Sequence, residues 1–129
     1  MKGEVKAKTG NKKLGEEGEE IAVAFLEGRK YAVLERNFRC KCGEVDIVAR
    51  DGKTLVFVEV KTRSSQAFGP PQASVTPFKQ RQIAKAALAW LASKKMQDAP
   101  ARFDVVAIIL REHEVPRIEH ITNAFDLAY

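Results

Sequence analysis

Residues 43–63, GEVDIVARDGKTLVFVEVKTR, decide how this chain is read. Two runs rich in β-branched and aromatic residues, 44–50 and 54–62, flank Asp51-Gly52, a dipeptide suited to the positive φ of a tight hairpin. Both runs read as strands. Alternate residues of a strand share a face. Glu44 and Asp46 therefore point one way, and Val45, Ile47 and Ala49 the other. In the next strand Leu55, Phe57, Glu59 and Lys61 share one face, while Val56, Val58, Val60 and Thr62 share the opposite one.

A two-residue Asp51-Gly52 loop sets Asp46 opposite Phe57 and Glu44 opposite Glu59; a four-residue loop sets Asp46 opposite Glu59. Either register puts the carboxylates on one face, roughly 5–7 Å apart. Two readings fit. Charges at strand alternation are routine on exposed surfaces, so Glu59 and Lys61 can be a surface ion pair with Asp46 in solvent. Alternatively, the repelling carboxylates await a hard divalent cation, Mg²⁺ or Mn²⁺, whose oxygen ligands and retained waters leave room for a phosphate. Lys61 on the same face can then hold that phosphate or acidify an attacking water. VFVEVK (56–61) is too apolar for an exposed edge, which brings the second reading level with the first.

Working outward, residues 31–40 form a third extended run, joined through a turn at Cys42-Gly43, so a three-stranded meander is expected. Upstream, Gly15, Gly18, Ala22, Phe25 and Leu26 recur at the spacing of one helix face over residues 14–28, with Gly28 as the stop. Glu16, Glu17, Glu20 and Glu27 occupy other faces, whereas Glu19 points along the buried stripe. Downstream, RSSQAFGPPQASV (63–75) is a loop rich in Ser, Gly, Pro and Gln. Thr76 and Pro77 then suit the N-cap and first position of a helix running to Lys95, its stripe made by Ile83, Ala87, Trp90 and Leu91. Residues 103–110 read as a strand covered on both faces, and 117–121 as a short last strand. The expected order is α, three β, α, β, β, an α/β fold.

The chain of 129 residues, 45% hydrophobic and 30% charged, suits one globular domain over 14–129 preceded by a basic flexible tail over 1–13. No apolar run can span a bilayer and no apolar segment follows the first lysines, so a cytoplasmic protein without a membrane partner is expected. Cys40 and Cys42, too few for a structural zinc site, are expected to be free thiols, since a disulfide between such near neighbours would be strained. Of the net charge of +5, the tail's five lysines and one glutamate account for +4. Nucleic acid is thereby a candidate partner.

GEVDI (43–47) followed by VFVEVKTR (56–63) resembles the PD-(D/E)xK nuclease signature, and in detail the small bacterial YraN-like family of predicted endonucleases. Further shared elements are Gly15, Gly18 and Glu19, then Arg36, Asn37 and Arg39, Phe68-Gly69, Lys79-Gln80, RFDVV (102–106) and NAF (123–125). Together they cover residues 15 to about 125. One departure is Val45, where the signature has a proline before the aspartate. The resemblance implies a restriction-endonuclease-like α-β-β-β-α-β core with a mixed central sheet flanked by helices. It also implies metal-dependent hydrolysis of phosphodiester bonds in DNA, including branched or structured DNA, as in archaeal Holliday-junction resolvases. By that likeness Glu19, Asp46, Glu59 and Lys61 are the catalytic set. Asp46, Glu59 and Glu19 would be metal ligands, with the Val60 carbonyl as a further donor. The alternative is a non-catalytic nucleic-acid-binding accessory protein in DNA repair, recombination or uptake.

Arg36, Arg39, Arg63, Lys79 and Arg81, with the 63–75 loop, are expected to grip backbone phosphates, although strand-surface charges such as Arg36, Asn37 and Arg39 are usually just solvated. Gln80 either reaches a metal-bound water or packs with a satisfied amide. Asp104 is expected to cap or to pair with Arg102, His113 and His120 to lie on the surface, and Trp90 to be core. One small domain offers little DNA-binding surface, which makes a homodimer a candidate arrangement for cutting two strands.

Overall fold

The computed structural model describes residues 2–64 and 69–126, the side chains of 2–12, 71 and 72 excepted. Helix α1 (Lys2–Gly28) is followed by β1 (Ala32–Cys40), β2 (Gly43–Asp51) and β3 (Thr54–Arg63), then α2 (Pro77–Ser93), β4 (Ala101–Ile109) and β5 (Arg117–Phe125). This is the expected order. Helix α1 starts upstream of Leu14, there being no proline between Lys2 and Gly28 to break it. The basic tail expected over 1–13 falls almost wholly on side chains outside the described residues. Phe68 also lies outside them.

Strand order in the sheet follows chain order, β1 to β5. All neighbours are antiparallel except β3 and β4, which run parallel because α2 carries the chain back across the sheet between them. The result is a mixed α/β sheet with a helix on each face. Ala22 and Leu26 of α1 pack with Ile47, Ala49, Val56, Val58, Val106 and Ile108. Ile83, Ala87, Trp90 and Leu91 of α2 pack with Val45, Val48, Leu55, Phe57, Phe103 and Val105 on the other side. Burying each large apolar side chain contributes about 1.5–3 kcal/mol, so the twin layers hold both helices firmly. Trp90 meets Phe57 edge-on, and its indole N–H donates to Glu35 at 2.9 Å.

Helix ends follow local chemistry. The Thr76 hydroxyl accepts from the Lys79 N–H at 3.2 Å and Pro77 fills the first turn of α2. Helix α1 closes by the Tyr31 N–H donating to the Leu26 carbonyl, with Lys30 in the left-handed region at φ 70°. Among the described residues no helix is long and apolar enough to cross a membrane.

The β2–β3 register differs from both expected loop closures in its turn, yet agrees with one in its pairing. Asp51 pairs with Thr54, so the turn is Gly52-Lys53, with Gly52 at φ 61°. Pairing ends at Ile47 and Val58. Asp46 and Glu59 stand opposite each other one step beyond it. Alternation along β2 also breaks there: Val45 belongs to the α2 layer and Ile47 to the α1 layer, not to one face. The facing strand is irregular at the same level, where Asn37 has φ 55°. Backbone in that region re-aims the side chains on either side of it.

Candidate active site

The site is built where β2 and β3 part. Asp46, released from the ladder, turns its carboxylate to the Val60 backbone N–H, which donates to Oδ2 at 2.8 Å. Val60 thereby keeps a partner although β2 no longer supplies one. Glu59 beside it is 5% exposed, a burial that carboxylates tolerate only when paired. Its partners are Lys79 Nζ at 3.0 Å and Lys61 Nζ at 3.5 Å. Lys61 arrives by strand alternation, Lys79 from the first turn of α2. That helix lies tight against β2 because Gly43 has no side chain: a Cβ there would sit 2.6 Å from the Gln82 carbonyl oxygen.

Electrostatics follow from this crowding. Burial, then the neighbouring Glu59 charge, push the Asp46 carboxyl up to about 8, against the stabilising Val60 N–H. Burial also lowers Lys61, helped by the adjacent Lys79 ammonium and opposed by Glu59. Burial acts on Lys79 in the same sense, but the Glu59 carboxylate outweighs it and raises that ammonium. With Asp46 protonated, the two ammonium groups face a single Glu59 carboxylate, so the cluster carries an excess positive charge.

Glu19 comes from α1, which reaches β3 because Gly18 leaves room for the Thr62 side chain. Its Oε1 accepts from Asn37 Nδ2 at 2.9 Å and from Arg36 at 3.1 and 3.2 Å. Arg36 also pairs with Glu20 at 2.9 Å. A cavity of about 670 Å³ on this side is lined by Glu19, Arg36, Arg39, Asp46, Val60 and Lys61, among others. On the α2 side a second cavity of about 260 Å³ is lined by Glu44, Asp46, Glu59 and Lys79 with their neighbours. Asp46 and Glu44 face both.

The four expected catalytic residues therefore converge around Asp46 but do not share one cavity. Among the described residues no group of three His, Cys, Asp or Glu side chains is gathered so as to hold a metal ion. Glu19 is engaged by Arg36 and Asn37 on the α1 side, and Glu59 by two lysines. Asp46 and Glu59 are two adjacent hard oxygen donors, the kind that Mg²⁺ takes alongside several waters.

Of the residues expected to grip phosphate, Arg36, Arg39 and Lys79 line the cavities; Arg39 pairs with Glu44 at 2.7 Å. Arg63, Gln80 and Arg81 line neither. Gln80 follows its packing alternative, its amide donating to the Val75 carbonyl at 2.9 Å. Arg81 is exposed. Asn37 as a partner of Glu19, and Lys79 as a direct partner of Glu59, escaped the pattern reading. Lys79 sits at the start of a helix that follows an N-cap, yet nothing local says which strand that helix end meets.

His120 is a correction. Its side chain, expected at the surface, is 1% exposed, and its Nε2 lies 2.8 Å from Asp104 Oδ2. Asp104 is fully buried and also takes Arg102 Nε at 3.0 Å and the Asn123 N–H at 3.0 Å. Burial alone would raise this carboxyl, but the bonds from His120, Arg102 and Asn123 hold it below the usual range. Arg102 continues to the Tyr31 hydroxyl at 2.7 Å and to Asp51 at 3.3 Å. This network joins β4, β5 and the end of α1. The expected Asp104–Arg102 pairing is present, and His113 is exposed as expected.

Comparison with known proteins places the chain. Residues 18–108 match the profile of a family described as "Uncharacterised protein family UPF0102". A UPF0102 protein of Geotalea uraniireducens (strain Rf4) is 76% identical over 119 residues, covering 92% of this chain and 94% of that protein. Another, from Geotalea daltonii, is 70% identical over the full length of both. A third, from Geobacter metallireducens, is 64% identical over 119 residues, 92% of this chain and 97% of that protein. The chain belongs to the UPF0102 family, the YraN-like family that its sequence resembles.

Proposed function

We propose that this protein is a divalent-cation-dependent endonuclease of the PD-(D/E)xK type, hydrolysing phosphodiester bonds in DNA, with branched or otherwise structured DNA among its substrates. One observation carries this reading: the Asp46 and Glu59 carboxyls stand together at the parted ends of β2 and β3, with Lys61 and Lys79 beside them. Burial and the Glu59 charge raise the Asp46 carboxyl to about 8, a repulsion that a bound divalent cation would relieve. Mg²⁺ or Mn²⁺ fits such a donor set.

Asp46 and Glu59 would hold the ion, with the Val60 carbonyl as an additional donor. Glu19 would act directly or through water once Arg36 or Asn37 yields it. When bound, the cation supplies Lewis-acid stabilisation of the transferring phosphoryl group and the leaving oxygen. Protein groups do the remaining work. The Val60 N–H fixes the orientation of Asp46. Lys61, its ammonium made less stable by burial, orients water and donates to a phosphate oxygen at the point where charge develops. Lys79 is freed from Glu59 to meet backbone phosphate, and Arg36 and Arg39 extend the positive lining. Arg63, Gln80 and Arg81 would serve only a substrate that reaches past the cavities, and a homodimer would present two sites to two strands.

A specific observation favours a second reading. Glu19 and Glu59 are already neutralised by protein cations, as in an accessory protein that binds nucleic acid without cutting it. Incubation with labelled duplex, single-stranded, flap and four-way-junction DNA, and with RNA, in Mg²⁺ or Mn²⁺ separates the two. Cleavage that falls roughly a hundredfold or more in Asp46→Asn and Glu59→Gln supports the nuclease. Salt-dependent binding without cleavage supports the accessory protein.

A further inference from the structure

A different chemistry sits at the tip of the β1–β2 turn. Cys40 ends β1 and pairs with Gly43 at the start of β2, leaving Lys41 and Cys42 as the turn itself. The Cys40 and Cys42 sulfurs are direct neighbours, 2.6 Å apart with no heavy atom between them. Both thiols are free and half-buried, and neither lines the two cavities described above. The turn is pressed against α2, with Cys40 packed on that layer and Gly43 against the Gln82 backbone.

We propose that Cys40 and Cys42 form a thiol–disulfide exchange site whose substrate is a low-molecular-weight disulfide. The Cys40 thiolate attacks one sulfur of the disulfide RSSR, forming a mixed disulfide and expelling RS⁻. Cys42, having given up its proton to solvent, attacks the Cys40 sulfur. The Cys40–Cys42 bond forms, the bond to the second RS⁻ breaks, and both leaving thiolates take up protons. Two protein thiols are oxidised by two electrons, and RSSR is reduced to two RSH. Cys40 is the attacking sulfur: burial disfavours its thiolate, but hydrogen bonds from the Cys42 thiol and from the Cys42 and Gly43 N–H groups outweigh this and lower its pKa. A bridge across one intervening residue is strained, and strained disulfides are the readily reduced ones, so this bond is reversible and not a structural cross-link.

The inference is independent of any nuclease activity. Its test is to treat the reduced full-length protein with excess oxidised glutathione without oxygen, quench in acid, alkylate remaining thiols and measure intact mass. The expected product is lighter by two hydrogens, unalkylated, free of glutathione, and returns to the dithiol with reduced glutathione. Cys40→Ser and Cys42→Ser should each stop at one glutathione adduct, the Cys42→Ser variant forming it several-fold faster at neutral pH. Accumulation of glutathione adducts or intermolecular dimers in the wild type, or persistence of the dithiol, overturns the proposal.

Discussion

The Asp46 carboxylate accepts the Val60 N–H at 2.8 Å, joining two strands at the level where their ladder has ended. That bond keeps Asp46 aimed inward although the neighbouring Glu59 charge and burial disfavour its ionised form.

Asp46 should therefore make stability depend on pH in a definite sense. Its carboxyl is raised from 3.8 to about 8, so across that interval the folded state holds more protons than the unfolded chain. Stability contributed by the protonated group is present below the unfolded value and lost as pH rises through the folded one. Asp46→Asn, which stays neutral, should gain on the wild type by on the order of 1–3 kcal/mol between pH 5 and pH 8. Urea unfolding of both proteins across that range measures it; equal pH profiles would sink the prediction.

Lys79 should stabilise the cation-free protein only modestly. Its ion pair with Glu59 joins a buried carboxylate to an ammonium whose side chain is 42% exposed, so solvent screens the interaction. Lys79→Met should cost about 0.5–1 kcal/mol in chemical unfolding without divalent cations. Mn²⁺ should recover stability in this variant and in the wild type, but not in Asp46→Asn, with melting temperature as the readout.

Gly18→Ala should loosen α1 from the sheet. A Cβ at position 18 collides with the Thr62 side chain, and helix and strand would have to move apart. Overpacking of this kind costs about 1–3 kcal/mol. Because Glu19 is the next residue, on the proposed nuclease reading DNA cleavage should fall further than stability alone explains. Gly15→Ala is the control, since a Cβ there meets nothing within 4 Å.

His120→Ala should be among the most damaging substitutions outside the site. It removes the 2.8 Å partner of a fully buried Asp104, leaving Arg102 and the Asn123 N–H to carry that charge. A loss of about 2–4 kcal/mol at pH 7 is expected. Asp104 is held below its usual range, so its contribution is present above the unfolded carboxylate value and lost as pH falls through the lowered one. The variant should therefore show a shallower acid limb, followed by circular dichroism from pH 5 to pH 2.

Much of this molecule is legible in its sequence. Strand alternation in 54–62 and the spacing of Ile83, Ala87, Trp90 and Leu91 report local backbone geometry, which is why the elements and their order were readable. The same alternation placed Glu59 and Lys61 together, and helix periodicity turned Glu19 inward. Each of these relationships spans only a few residues, where the backbone's own repeat dictates direction.

What only the tertiary structure decided joins residues far apart in the chain. The break in alternation at Asp46 accompanies an irregular Asn37 on the neighbouring strand, and a period-two reading of β2 alone cannot register it. Lys79 reaches Glu59, Arg36 reaches Glu19 and His120 reaches Asp104 because two helices and five strands pack in one particular way. A charged or imidazole side chain looks the same in sequence whether water or a buried carboxylate solvates it. Packing selects between them.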